Sequence, residues 1–141
     1  AEVNRMLQEG VIELSDSPWS SPIILTRKKN GEHRFCIDFR RINTVSQKNA
    51  YLLPYINSIL DTWRGARYFS SIDLKQGYCQ VPLAEDSKPI TAFIVLNLGL
   101  FQFRMMPFGL HSACATFQKL LNAVLGPEMD SKAFDVGGIQ D

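Results

Sequence analysis

A surplus of charge of one sign is missing from this chain of 141 residues: Lys and Arg number 15, Asp and Glu 14, for a formal net charge of +1. That balance neither requires nor excludes a nucleic-acid partner, because local clustering matters more than the total. Cysteine is scarce as well. Cys36, Cys79 and Cys114 are too few for a disulfide framework and too far apart for a zinc knuckle, so they read as reduced, buried, small apolar residues of an intracellular protein, cytoplasmic or nuclear. The longest apolar run, Ala92 to Phe101, is interrupted by Asn97 and Gly99 and is about half the ~20 residues of a membrane-spanning helix, so no membrane partner is expected. The first residues, Ala-Glu-Val-Asn-Arg, carry neither an initiator Met nor a signal pattern, so the sequence predicts a piece of a longer, non-secreted chain. Repeats and low-complexity segments are absent.

What is present is enough apolar content, 45%, to bury the core of one domain or less. Val3, Met6 and Leu7 recur at helical spacing before Gly10 and predict a short helix, followed by extended Val11–Leu14. Pro18 and Pro22 bracket an extended turn around Trp19, read as a core anchor, and Ile23–Thr26 reads as a strand. Asn30-Gly31 suits a tight hairpin turn between that strand and Phe35–Phe39. Arg27, Lys28, Lys29, Arg34, Arg40 and Arg41 put six cations within fifteen residues. Two readings stay open for them: a grip on phosphates, or a solvated edge kept from aggregating by its charges.

Asn43–Tyr51 reads as a polar connector, and Pro54 begins a helix whose Ile56, Ile59, Leu60 and Trp63 face the core. A strand through Tyr68, Phe69 and Ile72 then delivers Asp73 to a turn at Lys75-Gln76-Gly77. Alone, Asp73 reads first as a strand-end Asp capping a turn, with a metal-holding carboxylate as the alternative. Cys79–Leu83 is predicted as a strand and Ala84–Pro89 as a polar loop. Thr91–Leu96 and Leu100–Met105 form a hairpin around Asn97-Leu98-Gly99. Pro107-Phe108-Gly109 is a tight turn, and Ser112 caps a helix whose core stripe is Ala113, Phe117, Leu120, Leu121 and Val124, ended by Gly126-Pro127.

Six motifs in this order resemble the reverse transcriptases of gypsy-type LTR retrotransposons, from about Leu7 to Phe134. They are Gly10-Val-Ile-Glu13, Ser17-Pro-Trp-Ser-Ser-Pro22, the hairpin from Lys28 through Arg34 and Asp38 to Arg40, Tyr51-Leu-Leu-Pro54, Phe69-Ser-Ser-Ile-Asp-Leu-Lys-Gln-Gly-Tyr78, and Met106-Pro-Phe-Gly-Leu110 leading to Ala115-Thr-Phe-Gln118. The resemblance implies an α+β chain, a partial right-hand polymerase fold of fingers plus incomplete palm, with antiparallel strands and packed helices. Fingers would span approximately 1–47 and 81–112, palm 48–80 and 113–141.

The resemblance also implies RNA-directed DNA polymerase activity, a nucleotidyl transfer on two Mg²⁺ ions. It assigns catalysis to Asp73 and metal ligation to Asp73 and the backbone carbonyl of Leu74. Lys28, Arg34, Tyr78 and Phe108 would bind the nucleotide, and Asp38, Arg40, Gly109 and Gln118, with Lys119 beside it, would meet the template. Partners would be an RNA or DNA template-primer, deoxynucleoside triphosphates and the remainder of a polyprotein. Departures from the family pattern are His111 and Cys114, where Thr and Pro are common, Ile90 in place of Lys, and one extra residue that implies a displaced hairpin. Where the family's paired acids belong, this chain has Asp135-Val136-Gly137-Gly138, and neither Asp135 nor Asp141 has the adjacent-pair spacing. The expectation is a fingers-and-palm portion that is inactive as it stands. The alternatives are a non-catalytic nucleic-acid-binding module and a decayed element with no retained function.

Overall fold

The computed structural model describes residues 2–47, 57, 60, 61 and 63–132. Pro54, Ile56 and Ile59 of the next predicted helix, and the stretch that holds Phe134, Asp135, Gly137, Gly138 and Asp141, lie outside the described residues, while Asn57, Leu60 and Asp61 are helical. Helix α1 (Glu2–Gln8) leads into strand β1 (Ile12–Leu14), then β2 (Ile23–Arg27), β3 (His33–Ile37) and helix α2 (Arg40–Val45). Two 3₁₀ turns, Gly77–Gln80 and Lys88–Thr91, precede β4 (Phe93–Val95), β5 (Gly99–Phe103) and the long helix α3 (Ala113–Lys132).

Two small antiparallel sheets result. In one, β5 is central, pairing Phe103 with Ile12 and Phe101 with both Leu14 and Phe93, so strands distant in sequence meet on it. In the other, β2 and β3 form the predicted hairpin, with Ile23 opposite Ile37 and Arg27 opposite His33. Its turn is closed by Lys28 N–H donating to Glu32 O at 2.7 Å, and Gly31 sits at φ +87°, a left-handed conformation that costs glycine little.

The core fills the space between α1, α2 and the three-stranded sheet. Val3 and Met6 of α1 pack with Ile12, Phe39, Ile42, Phe93, Phe101 and Phe103. Phe93 is fully buried and meets Phe35 edge-on at 5.9 Å and Phe103 at 5.3 Å. Each such ring withdrawn from water stabilises the fold by about 1.5–3 kcal/mol.

Several expectations are corrected. Residues 66–74 form no strand: between Ala66 and Gly77 no main-chain N–H reaches another backbone carbonyl among the described residues. A strand exists only in a ladder, and no partner runs beside this segment among those residues, so Tyr68 is 93% and Ile72 84% exposed despite their strand propensity. Cys79–Leu83 makes a 3₁₀ turn and then a single bridge from Pro82 to Met105, because Gln76 at φ +50° folds the chain back at that point. Helix α2 occupies the start of the predicted connector. Trp19, Leu60, Leu120 and Val124 are exposed, not core; of the predicted α3 stripe Ala113 is buried as expected, joined by Ala115 and Gln118. Helix α3 also runs past Gly126-Pro127, since Gly126 is not among the left-handed glycines and forms no left-handed cap. Cys36, Cys79 and Cys114 are free and only half-buried.

Candidate nucleotide and template site

Tyr78 sits in the 3₁₀ turn that follows the Asp73 segment, and three side chains hold it. Its ring lies 4.9 Å from that of Phe108, tilted by 51°, and 5.1 Å from that of Phe117, edge-on. Its hydroxyl lies 3.0 Å from Cys114 Sγ. Partial burial, with the Cys114 contact second, pushes the Tyr78 phenol well above its ordinary range, so it stays protonated at neutral pH. The turn can pack this close because Gly77 has no side chain: a Cβ there would meet Phe117 Cζ at 2.8 Å.

Phe108 belongs to the turn read from Pro107-Phe108-Gly109. Gly109 adopts φ +92° and lies over Phe39, with the position of its absent Cβ 3.5 Å from Phe39 Cδ2 and 3.9 Å from Ile37 O. The end of β3 and the start of α2 are therefore the wall beside Phe108. Asp38 stands there and accepts from Arg40 Nε at 2.9 Å and Nη2 at 2.6 Å, and from Arg40 N–H at 3.1 Å. The Arg40 side chain and backbone donors hold the Asp38 carboxyl down at about 2. Asp38 is thus an anion fully engaged by Arg40, while the Arg40 side chain reaches outward into solvent.

Farther along the hairpin, Arg34 pairs opposite Thr26, three residues out from Ile37 and so roughly 10 Å along the strand. Lys28 is at the tip, with Nζ 3.0 Å from Glu32 Oε2. That lysine and its asparagine neighbour hold the Glu32 carboxyl below its ordinary range. Arg34 makes no ion pair among the described residues, which leaves its guanidinium the freer of the two predicted phosphate ligands.

The structure thus brings Tyr78, Phe108 and Gly109 to one turn, packs Gly109 against Phe39 and Ile37, the residues on either side of Asp38, and sets Arg34 and Lys28 farther out along the hairpin. Gln118 is placed differently: it is 3% exposed, inside α3, and donates its amide to Asn122 Oδ1 at 3.1 Å. Lys119 next to it is exposed. Asp73 is exposed and makes no hydrogen bond or ion pair among the described residues, and Leu74 is exposed beside it. No group of three or more His, Cys, Asp or Glu side chains comes together among the described residues. One carboxylate and a carbonyl do not satisfy the six oxygen ligands of Mg²⁺, so the described residues do not fit the ion by themselves. Behind the turn, a cleft of about 310 Å³ is lined by Ile42, Val81, Leu110, Ser112 and Thr116 among others, with no charged side chain to pair with a phosphate. Among the described residues, no helix is long and apolar enough to cross a membrane.

Sequence reasoning missed Asn43. The sequence places it in a polar connector, yet its side chain reaches the Phe108 turn, donating to Gly109 O at 2.7 Å and accepting from His111 N–H at 3.0 Å. An Asn at the fourth position of a short helix gives no local signal of a contact 66 residues away.

The fold is shared with solved structures. Foamy viral protease-reverse transcriptase in complex with dsDNA superposes with a TM-score of 0.77 at 22% identity, covering 96% of this chain and 28% of that one. The foamy viral protein in complex with an RNA/DNA hybrid gives 0.77 at 21% identity, over 95% and 18%. Among curated sequences, the Retrovirus-related Pol polyprotein from transposon opus of Drosophila melanogaster is 40% identical over 129 residues, and that from transposon gypsy 39% over 130. Each alignment covers 88% of this chain but only 13% and 12% of those polyproteins. An RNA-directed DNA polymerase homolog of Oenothera berteroana is 42% identical over 97 residues, 69% of this chain and 68% of that one. Since the family model for "Reverse transcriptase (RNA-dependent DNA polymerase)" also matches residues 26–134, the turn that joins Tyr78 to Phe108 and the hairpin beside it are parts of a chain that belongs to the reverse transcriptase family, with gypsy-type retrotransposon polyproteins among its relatives.

Proposed function

We propose that this chain is the nucleotide- and template-facing portion of an RNA-directed DNA polymerase from a retrotransposon polyprotein, and that by itself it binds without performing nucleotidyl transfer. The observation that carries the reading is the Tyr78–Phe108 contact at a turn packed on Phe39 and Ile37, which flank Asp38 of the Asp38–Arg40 pair, with Arg34 lacking an ion-pair partner among the described residues. Aromatic faces receive a sugar and base, and a guanidinium fork receives phosphate oxygens, so the arrangement suits a deoxynucleoside triphosphate next to a template strand. In the full polymerase, two divalent ions supply activation of the primer end and neutralisation of the triphosphate. Here Asp73 would be one ligand, Leu74 O a second, and Gly137-Gly138 stand where two further carboxylates would be needed. The free thiols of Cys36, Cys79 and Cys114 suit a reducing, intracellular setting.

Two measurements test this. A labelled primer-template duplex should bind with an affinity that falls steeply with salt, because phosphate contacts release counterions. Primer extension with Mg²⁺ or Mn²⁺ should be undetectable. Salt-insensitive or absent duplex binding would remove the binding reading in favour of a decayed element, and template-dependent extension abolished by Asp73→Asn would remove the inactivity.

A further inference from the structure

The turn that presents Phe108 has almost no main-chain support of its own. Phe108, Gly109 and His111 make no backbone–backbone hydrogen bond among the described residues, and Leu110 contributes only its carbonyl, to Ala113 N–H at 3.1 Å. Besides the packing of Leu110 on the core, what fastens the turn by hydrogen bonds is one side chain from α2. Asn43 donates Nδ2 to Gly109 O and accepts His111 N–H on Oδ1, so one amide plane grips the residues on either side of Leu110.

The two bonds need a donor and an acceptor at a fixed separation on a short stem. Asn supplies that combination, whereas Asp carries two acceptors, Leu none, and Gln an extra methylene. Asn43 is half-buried, and α2 is itself fixed to the core through Ile42, so the grip is anchored to a rigid element. Released from it, Gly109 would leave φ +92° at little cost, because glycine has many alternatives. Phe108, 61% exposed and held mainly by its contact with the Tyr78 ring, would move with it.

We propose that Asn43 is a positioning residue: its side-chain amide latches the Phe108-Gly109 turn against Tyr78 and so sets the shape of the nucleotide-binding face. The consequence for nucleotide affinity rests on the function proposed above, and the latch itself does not. The residue touches neither substrate nor metal. It acts through Gly109 and His111.

The test compares the unmodified chain with Asn43→Ala, Asn43→Asp and a control, Ser17→Ala, which removes a different side-chain hydrogen bond, that of Ser17 Oγ to Pro89 O at 2.6 Å. Proton NMR reads the Tyr78–Phe108 ring-to-ring Overhauser effect and hydrogen exchange at the His111 amide, and titration with dTTP reads affinity. In Asn43→Ala the ring contact should fade, His111 exchange should accelerate about tenfold or more, and the dTTP Kd should rise about tenfold. Asn43→Asp should split the latch, keeping His111 protection through its remaining acceptor while the ring contact fades. Ser17→Ala should lower the melting temperature and leave the three readouts unchanged, the pattern Asn43→Ala would also show if its role were merely structural. If Asn43→Ala does not fold, the split in Asn43→Asp decides. An unchanged ring contact in either folded variant would overturn the latch. If the unmodified chain binds no dTTP, the nucleotide reading fails, and the ring contact and His111 exchange still decide whether Asn43 holds the turn.

Discussion

Gly77 and Phe117 are packed so closely that a methyl group on Gly77 would come within 2.8 Å of Phe117 Cζ. The contact lets the turn after Asp73 lie flat on α3 and brings Tyr78 between Phe108 and Phe117. Gly77→Ala should therefore overpack the site and destabilise the chain by about 1–3 kcal/mol in a urea melt. Combining it with Phe117→Leu, a smaller and more adaptable side chain, should restore part of that loss. Equal stability of Gly77→Ala and the unmodified chain would mean that the ring gives way freely.

Thr91 is a buried bridge between two elements. Its hydroxyl donates to Lys88 O at 2.7 Å and accepts Phe103 N–H at 3.0 Å, tying a 3₁₀ turn to the central strand. Thr91→Val keeps the shape and orphans both partners, so a cost of about 1–3 kcal/mol is expected, and Thr91→Ser should recover most of it. A neutral Thr91→Val in chemical denaturation would show that water replaces the hydroxyl.

Tyr78 makes stability fall in alkali. Its folded pKa is raised, first by burial and then by Cys114, so the folded chain holds the phenolic proton more tightly than the unfolded one. The contribution is complete below the unfolded value of ~10 and is lost as pH rises through the folded value. The melting temperature should drop less steeply between pH 9 and 11 for Tyr78→Phe than for the unmodified chain, and equal slopes would show that the phenol is not held in its protonated form by the fold. Cys79, raised by its own burial, acts in the same direction in both proteins and cancels from the difference.

Lys28 and Arg34 should not weigh equally on phosphate binding. Lys28 already faces Glu32 at 3.0 Å, whereas Arg34 has no ion-pair partner among the described residues. Arg34→Ala should weaken triphosphate binding more than Lys28→Ala and flatten the salt dependence of duplex affinity by about one unit of slope. Isothermal titration across three salt concentrations checks both, and a larger effect from Lys28→Ala would show that the Glu32 pair opens on binding.

Local chemistry was enough for some of this molecule. The spacing of Val3 and Met6 specified α1, Asn30-Gly31 and Asn97–Gly99 specified two hairpin turns, and Pro107-Phe108-Gly109 specified the turn at the site, because each depends on dihedral preferences within a few residues. The ordered motifs likewise identified the family. Periodicity marks which face of a segment is apolar, but not whether anything covers it. Tyr68 and Ile72 have strand-forming side chains and no ladder among the described residues, Leu120 and Val124 continue a helical stripe that stays open, and Gln118, polar by composition, is buried. Those outcomes, and the grip of Asn43 on a turn 66 residues away, were decided by which elements met in space, since a hydrogen bond or a buried face is the joint property of two distant stretches of chain.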